Sequence, residues 1–366
     1  VAALEGERPP GACGAEAEAL RGRALARAER AVVLLAAERL DPPGVREALD
    51  LVRLAHLADP TRRLPLAVVS GLLSYATSVR RSDVDHEPAF VVAQVAPDDA
   101  EVQRAVALFS DRLRDRHRGQ FIPVVRRALA SCGDRDGALR DTLEVHLCRL
   151  LSYDTAHLDE CLTVAAALLS RLTDPLARGA VLFARALARQ RVGRLLEALG
   201  DFDAALALEQ ADSSAMILLR ARVLLELGRH PEALVAARRF MEHAHVEVGM
   251  QLEFANAVCW SAGRATGDLE GARLSAAQLL AYHPAYGGWR VRLAWLERQL
   301  GDPAASATLG AAVPTLRADA NEAVRALADE AASTADALEL GDARAPARLD
   351  ALVERLEKMR LDLPLP

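Results

Sequence analysis

Four glycines at nearly equal spacing constrain the fold of this chain more than any other feature of its sequence. They are 35, 39 and 34 residues apart: Gly193, Gly228, Gly267 and Gly301. The first three are each followed, five residues later, by an alanine: Ala198, Ala233 and Ala272. Glycine readily adopts the left-handed conformation that ends a helix, and a small residue lets the returning helix approach closely. The period therefore predicts helical hairpins that stack, because one hairpin of this size cannot bury its apolar face alone.

The composition favours helices in the rest of the chain as well. Apolar residues make up 51% of it and aromatic residues only 4%, so alanine, leucine and valine supply most of the apolar surface. Alanine and leucine have high helix propensity, and no segment alternates polar and apolar residues as a half-buried strand does. Outside the glycine-punctuated region we expect helices at residues 14–40, 43–58, 61–80, 100–117, 120–131, 136–152, 157–172, 318–338 and 343–360.

The segment that begins at Gly193, GRLLEALGDFDAALALE, resembles the tetratricopeptide repeat (TPR) family. Its Ala198, Phe202 and Ala205 stand at the positions that the family uses for packing. Glu297 departs from the pattern, because the family usually has a large apolar residue there. The resemblance implies an all-α fold, a right-handed α-solenoid of stacked helical hairpins that forms a TPR-like superhelix.

The repeat signal is uneven along the chain and suggests five parts. The clearest TPR-like repeats cover 175–315, and divergent helical repeats are expected before them at 100–174. Helical hairpins with a long connection at 81–99 are expected within 14–99. The predicted ends are a flexible N-terminus at 1–13 and C-terminal capping helices at 316–366.

Charge and residue usage exclude several classes of function. Lys358 is the only lysine among 45 basic residues, so a phosphate-binding loop or a Schiff-base lysine in its usual sequence context is absent. The formal net charge of −6, with both signs interleaved, argues against nucleic acid as a partner. No run of 18 uncharged apolar residues is present, which argues against membrane insertion. Five scattered cysteines and the strong arginine bias suggest a bacterial-type, cytoplasmic protein.

Potential metal ligands and nucleophiles occur without a recognisable pattern. His146, Cys148, His157 and Cys161 are near one another in sequence, but the paired short spacings of zinc sites are missing. Nothing selects one cysteine and one histidine as a nucleophile and its base. We therefore predict no catalytic residues, no metal and no cofactor, and interpret these thiols as buried packing residues.

Aromatic and arginine residues give the candidate binding site. All three tryptophans lie between residues 240 and 295. In the TPR family the first helix of each hairpin lines the concave face, and the resemblance then implies the following partner-binding residues there: Arg191, Arg222, Phe254, Arg264, Arg292, Trp295 and Arg298. Arginine binds carboxylates through two parallel hydrogen bonds and stacks on aromatic rings, so we expect an acidic segment of another protein or peptide as the partner. Five of these side chains should then lie on one concave surface and be at least partly open to solvent: Arg222, Arg264, Arg292, Trp295 and Arg298.

Three functions remain from the sequence, in order of preference. The first is a non-catalytic scaffold or adaptor that holds a protein or peptide on its concave face. The alternative is a regulatory sensor whose superhelix responds to a small ligand or a signal peptide. The third is an enzyme with an unrecognised site.

Overall fold

Helices joined by short turns make up the part of the chain that the computed structural model describes. These residues are 92–93, 99–109, 119–132, 137–208, 214–243, 249–319 and 321–359, and none of them is in a β-strand. The all-α fold predicted from composition and periodicity is confirmed for these residues. The helices expected at 14–40, 43–58 and 61–80, the flexible residues 1–13 and most of the connection at 81–99 lie outside the described part.

The chain divides after Gly193 into two units, 1–193 and 194–366. This division falls inside the segment 175–315 that the sequence analysis assigns to one set of repeats. The helices of the first unit are α1 Ala100–Phe109, α2 Ile122–Ala130, α3 Gly137–Tyr153, α4 Leu158–Arg171 and α5 Pro175–Arg191. Neighbouring helices in this series pack on each other around a core that includes Phe121, Leu143 and Leu168, each with 0% exposure.

The second unit continues the same pattern through more hairpins. Its helices are α6 Leu195–Leu208, α7 Ser214–Glu226, α8 His230–His243, α9 Gly249–Thr266, α10 Leu269–Tyr282, α11 Gly287–Gln299, α12 Ala305–Arg317, the short α13 Glu322–Arg325, α14 Ala328–Glu339 and α15 Ala345–Lys358. Each long helix packs on the next, and α7 also packs on α9. The last helix, α15, packs on α14 and also on α11.

The repeating glycines end helices as the sequence predicts. Each has a positive φ between 72° and 82°, and a fifth glycine at the next repeat does the same: Gly193, Gly228, Gly267, Gly301 and Gly341. After three of them the following N–H donates to a carbonyl five residues back: Arg229 to Leu224 at 2.8 Å, Asp302 to Glu297 at 2.8 Å and Asp342 to Ala337 at 2.9 Å. These bonds satisfy helix-end carbonyls that would otherwise have no partner.

The alanines after the glycines lie where two helices nearly touch. Ala198, Ala233 and Ala272 all have 0% exposure. The contact between α9 and α10 is especially close, because a Cβ added to Gly263 would lie 3.3 Å from the Cβ of Ala272. Helix packing of this kind leaves no volume for a larger side chain.

No helix in the described part of the chain is long and apolar enough to cross a membrane.

Candidate binding site: an arginine–tryptophan cluster on α9 and α11

The helices α9 and α11, each the first helix of its hairpin, carry the arginine–tryptophan cluster. This cluster consists of Trp260, Arg264, Trp289, Arg292 and Trp295. On α9, Trp260 and Arg264 are four residues apart. On α11, Trp289, Arg292 and Trp295 follow one another at intervals of three residues. Residues three or four apart lie side by side on a helix surface. Both helices therefore present these side chains to the same region of the second unit.

The cluster alternates tryptophan rings with guanidinium groups. The Cζ atom of Arg292 lies 4.6 Å from the ring centre of Trp289 and 5.2 Å from that of Trp260. The Cζ atom of Arg264 lies 5.2 Å from the ring centre of Trp260 and 5.5 Å from that of Trp295. A cation within about 6 Å of an aromatic ring centre is attracted by the negative potential of the ring face. Each arginine is thus held by two tryptophans.

The last helix brings two carboxylates to this cluster. The indole Nε1 of Trp295 donates to Asp350 Oδ1 at 2.6 Å. Arg264 donates through Nη2 to Glu357 Oε2 at 2.9 Å, and its Nη1 lies 2.8 Å from Oε1. Asp350 and Glu357 are seven residues apart on α15, which places them on one face two turns apart. Two carboxylates of the same chain therefore already contact two of the predicted binding residues.

The two arginines of the cluster differ in how far they are exposed to solvent. Arg264 and Trp295 are half-buried, whereas Arg292 is only 7% exposed. The expectation that these side chains are open to solvent is therefore wrong for Arg292. Its side chain packs between two tryptophan rings that are themselves 4% exposed, and this packing removes it from water.

The remaining predicted residues do not join the cluster through a described contact. In the first unit, Arg191 donates to the Tyr153 carbonyl at 2.8 Å, and its Cζ lies 5.8 Å from the Tyr153 ring centre. Arg222 pairs with Glu226 one turn along α7 at 2.7 Å. Phe254 is 8% exposed and packs in the core. Arg298 is exposed in the last turn of α11.

Sequence reasoning missed several members of this site. It assigned no binding role to Trp260, Trp289, Asp350 or Glu357. The concentration of all three tryptophans in a short segment was the available signal for Trp260 and Trp289. A pair of acids at a spacing of seven in the final predicted helix was a weaker signal for the two carboxylates.

Glu297 shows the cost of the departure from the family pattern. Its side chain lies in α11 and is only 8% exposed. Burial raises the pKa of this carboxyl above its ordinary value, and a hydrogen bond with Thr308 partly offsets the increase. A charged form is disfavoured where water is excluded.

Two thiols of the first unit, those of Cys148 and Cys161, form a buried pair. The sulfur atoms of Cys148 and Cys161 lie 3.8 Å apart, and both residues have 0% exposure. The hydrogen bond with Cys161, together with burial, raises the pKa of Cys148 well above its usual range. Within the described ranges, no group of three or more histidine, cysteine or acidic residues is arranged to hold a metal ion.

The thiol of Cys259 should be almost inert towards alkylation in the folded protein. Burial raises its pKa to about 11. At pH 8 only about one thiol in a thousand is then the reactive thiolate. Iodoacetamide should label the peptide containing Cys259 at least about 100-fold more slowly in the native protein than in urea, as measured by mass spectrometry. Equal rates would show that α9 does not bury this residue.

A separate cleft of about 540 Å³ lies among α6, α7 and α8. Apolar side chains such as Leu206, Ile217 and Val235 line it, and the ion pair of Arg220 with Asp203 lies at the same cleft. None of the predicted binding residues lines it.

The hairpins, their glycine caps and their alanine contacts define an all-α helical-repeat protein of the TPR-like kind. No protein-family model matches the chain, and no curated protein sequence matches it significantly. Solved structures are similar to it at low identity, among them the following three. A tetratricopeptide repeat protein from Parabacteroides merdae is 15% identical over 70% of this chain and 98% of its own, with a TM-score of 0.42.

The other two matches are more distant. Human IFIT1, in a dimer with m7Gppp-AAAA, is 12% identical over 77% of this chain and 69% of its own, with a TM-score of 0.37. The TPR domain of P58(IPK) is 13% identical over 93% of this chain and 99% of its own, with a TM-score of 0.25.

Proposed function

We propose that this chain is a non-catalytic scaffold or adaptor that binds an acidic segment of another protein or peptide through the arginine–tryptophan cluster and Arg298. One observation carries the proposal. The cluster already binds two carboxylates of α15. Trp295 donates a hydrogen bond to Asp350, and Arg264 donates one to Glu357. A surface that binds acids within its own chain has the chemistry to bind them on a partner.

The residue types support the same function. Tryptophan and arginine are enriched among the residues that dominate binding energy at protein interfaces. Hydrogen bonds between arginine and carboxylate are about twice as strong as neutral ones. The overall charge of −6 makes this local concentration of arginine distinctive, and it favours a protein partner over nucleic acid.

The setting we propose is a bacterial cytoplasm. The described cysteines, Cys132, Cys148, Cys161 and Cys259, are all free and buried. Free thiols are typical of proteins that work in a reducing compartment.

Reversing an exposed charge beside the cluster tests the function directly. The full chain is used as bait to capture a partner from the native cell extract, and the partner's affinity is then measured in about 50 and 300 mM salt. Arg298→Glu should weaken binding about fivefold to tenfold in low salt, because the arginine then repels an acidic segment. The difference should shrink in high salt, since exposed charges are screened.

Arg194→Glu is the matched control, because Arg194 is an exposed arginine at the start of α6 and outside the cluster. The proposal fails if Arg298→Glu and the control bind the captured partner equally well at both salt concentrations. A change of the chain's shape on adding a small ligand, without a protein partner, would favour the sensor alternative instead.

A further inference from the structure

Arg292 is a buried charge with no counterion among the described residues. The guanidinium group keeps its proton in proteins, so burial cannot neutralise it. No described carboxylate forms an ion pair with it, and its Nε has no hydrogen-bond acceptor. The two acids that contact the cluster have other partners: Glu357 binds Arg264, and Asp350 accepts from Trp295.

The groups around Arg292 are also hydrogen-bond donors that lack acceptors. The indole N–H groups of Trp260 and Trp289 are buried, and no described residue accepts from either of them. The hydroxyl of Tyr286 is likewise buried and unpaired. Buried donors without a partner are rare in folded proteins, because each one has lost its hydrogen bonds to water.

The first turn of α11 places Tyr286 close to this arginine. A Cβ added to Gly288 would lie 2.7 Å from the Tyr286 hydroxyl, so the tyrosine ring covers Gly288. Gly288 is four residues before Arg292 and therefore on the same face of the helix. Side chains on a helix lean towards its N-terminus, which directs Arg292 towards the turn that carries Gly288 and Trp289.

The N-terminus of α11 has no side-chain cap. Tyr286 is the residue that caps the helix, and its side chain makes no capping hydrogen bond. The partial positive charge of a helix N-terminus adds to that of the guanidinium group. The site therefore combines a full positive charge, two indole donors, a hydroxyl and a helix N-terminus, and it lacks a negative charge.

We propose that Arg292, Trp260, Trp289 and Tyr286 form a seat for one carboxylate group of the partner's acidic segment. This inference rests on the proposed function and adds to it the position at which one acidic side chain is recognised. A carboxylate matches the guanidinium group because its two oxygens accept two parallel N–H bonds. Tyr286 is only partly buried, so this residue connects the seat with the protein surface.

Tryptophan fluorescence reports on this seat directly, because all three tryptophans of the chain belong to the cluster. The full chain is titrated with a blocked hexaglutamate peptide, with hexaglutamine and with inorganic phosphate, all at one ionic strength. Hexaglutamate should give a saturable change and hexaglutamine none. Saturation by phosphate alone, with no response to hexaglutamate, would overturn the proposal in favour of a free-anion site.

Arg292→Met should abolish the response to hexaglutamate, since it keeps an apolar side chain between the rings and removes the charge. Arg194→Met is the matched control and should respond like the unchanged protein. Tyr286→Phe keeps the ring and removes one donor, and it should weaken hexaglutamate binding about fivefold. This second variant keeps the test valid if Arg292→Met does not fold.

The seat and the proposed function can fail separately. If the captured partner binds Arg292→Met and Tyr286→Phe as tightly as the unchanged protein, while Arg298→Glu weakens it, the seat is wrong and the scaffold function stands. If hexaglutamate produces no saturable change and the two seat variants leave partner binding unaltered, the seat is overturned. Loss of partner binding in Arg292→Met but not in Arg194→Met supports it.

Discussion

Replacing Arg264 with glutamate is expected to lower the free energy of unfolding of the second unit by about 1.5–3 kcal/mol. The change removes the hydrogen-bonded pair with Glu357 and places two carboxylates against each other. It also removes a cation from between the rings of Trp260 and Trp295. The pair is about 30% exposed on each side, so water offsets only part of the loss. Urea unfolding followed by tryptophan fluorescence measures the effect.

A double variant that exchanges the two charges of the pair identifies the cause of this loss of stability. Arg264→Glu combined with Glu357→Arg should regain at least half of the lost stability, because the ion pair is restored with opposite polarity. Arg317→Glu is the control, since the pair of Arg317 with Asp329 is 60% and 91% exposed and contributes little. A double variant as unstable as the sum of the two single variants would mean that α15 does not dock on the cluster through this pair.

Replacing Ala233 with leucine should destabilise the second unit by about 1–3 kcal/mol through overpacking. Ala233 has 0% exposure at the second position of the repeating alanines, where two helices meet. Val235→Leu is a control on the same helix, because Val235 is 67% exposed and a surface change of this kind costs less than about 0.5 kcal/mol. Equal urea midpoints for the two variants would show that the glycine–alanine register is wrong in this hairpin.

The hairpins could be predicted because their causes are local. A glycine ends a helix through its own conformation, and the alanine five residues later is needed by the next helix in the same hairpin. The two residues are only five positions apart, so the pattern can be recognised in the sequence. The fifth glycine, Gly341, has the same role 40 residues after Gly301.

The candidate site could be predicted only in part. Arg264, Arg292 and Trp295 were assigned to one face from their register in the first helices, and they lie in one cluster. Their contacts could not be deduced, because the partners come from distant segments: Glu357 is 93 residues from Arg264, and Asp350 is 55 residues from Trp295. Nothing near Asp350 or Glu357 in the sequence specifies that α15 packs on α11.

The sequence by itself determined that this chain is built from helices, where the repeating helices end and which residues pack inside each hairpin. These features follow from helix propensity, glycine conformation and the volume of alanine, all of which act over short stretches. Only the tertiary structure decided that Arg264 has a counterion while Arg292 has none among the described residues. That difference depends on which helices meet across the second unit, because burial and charge pairing are properties of neighbours in space.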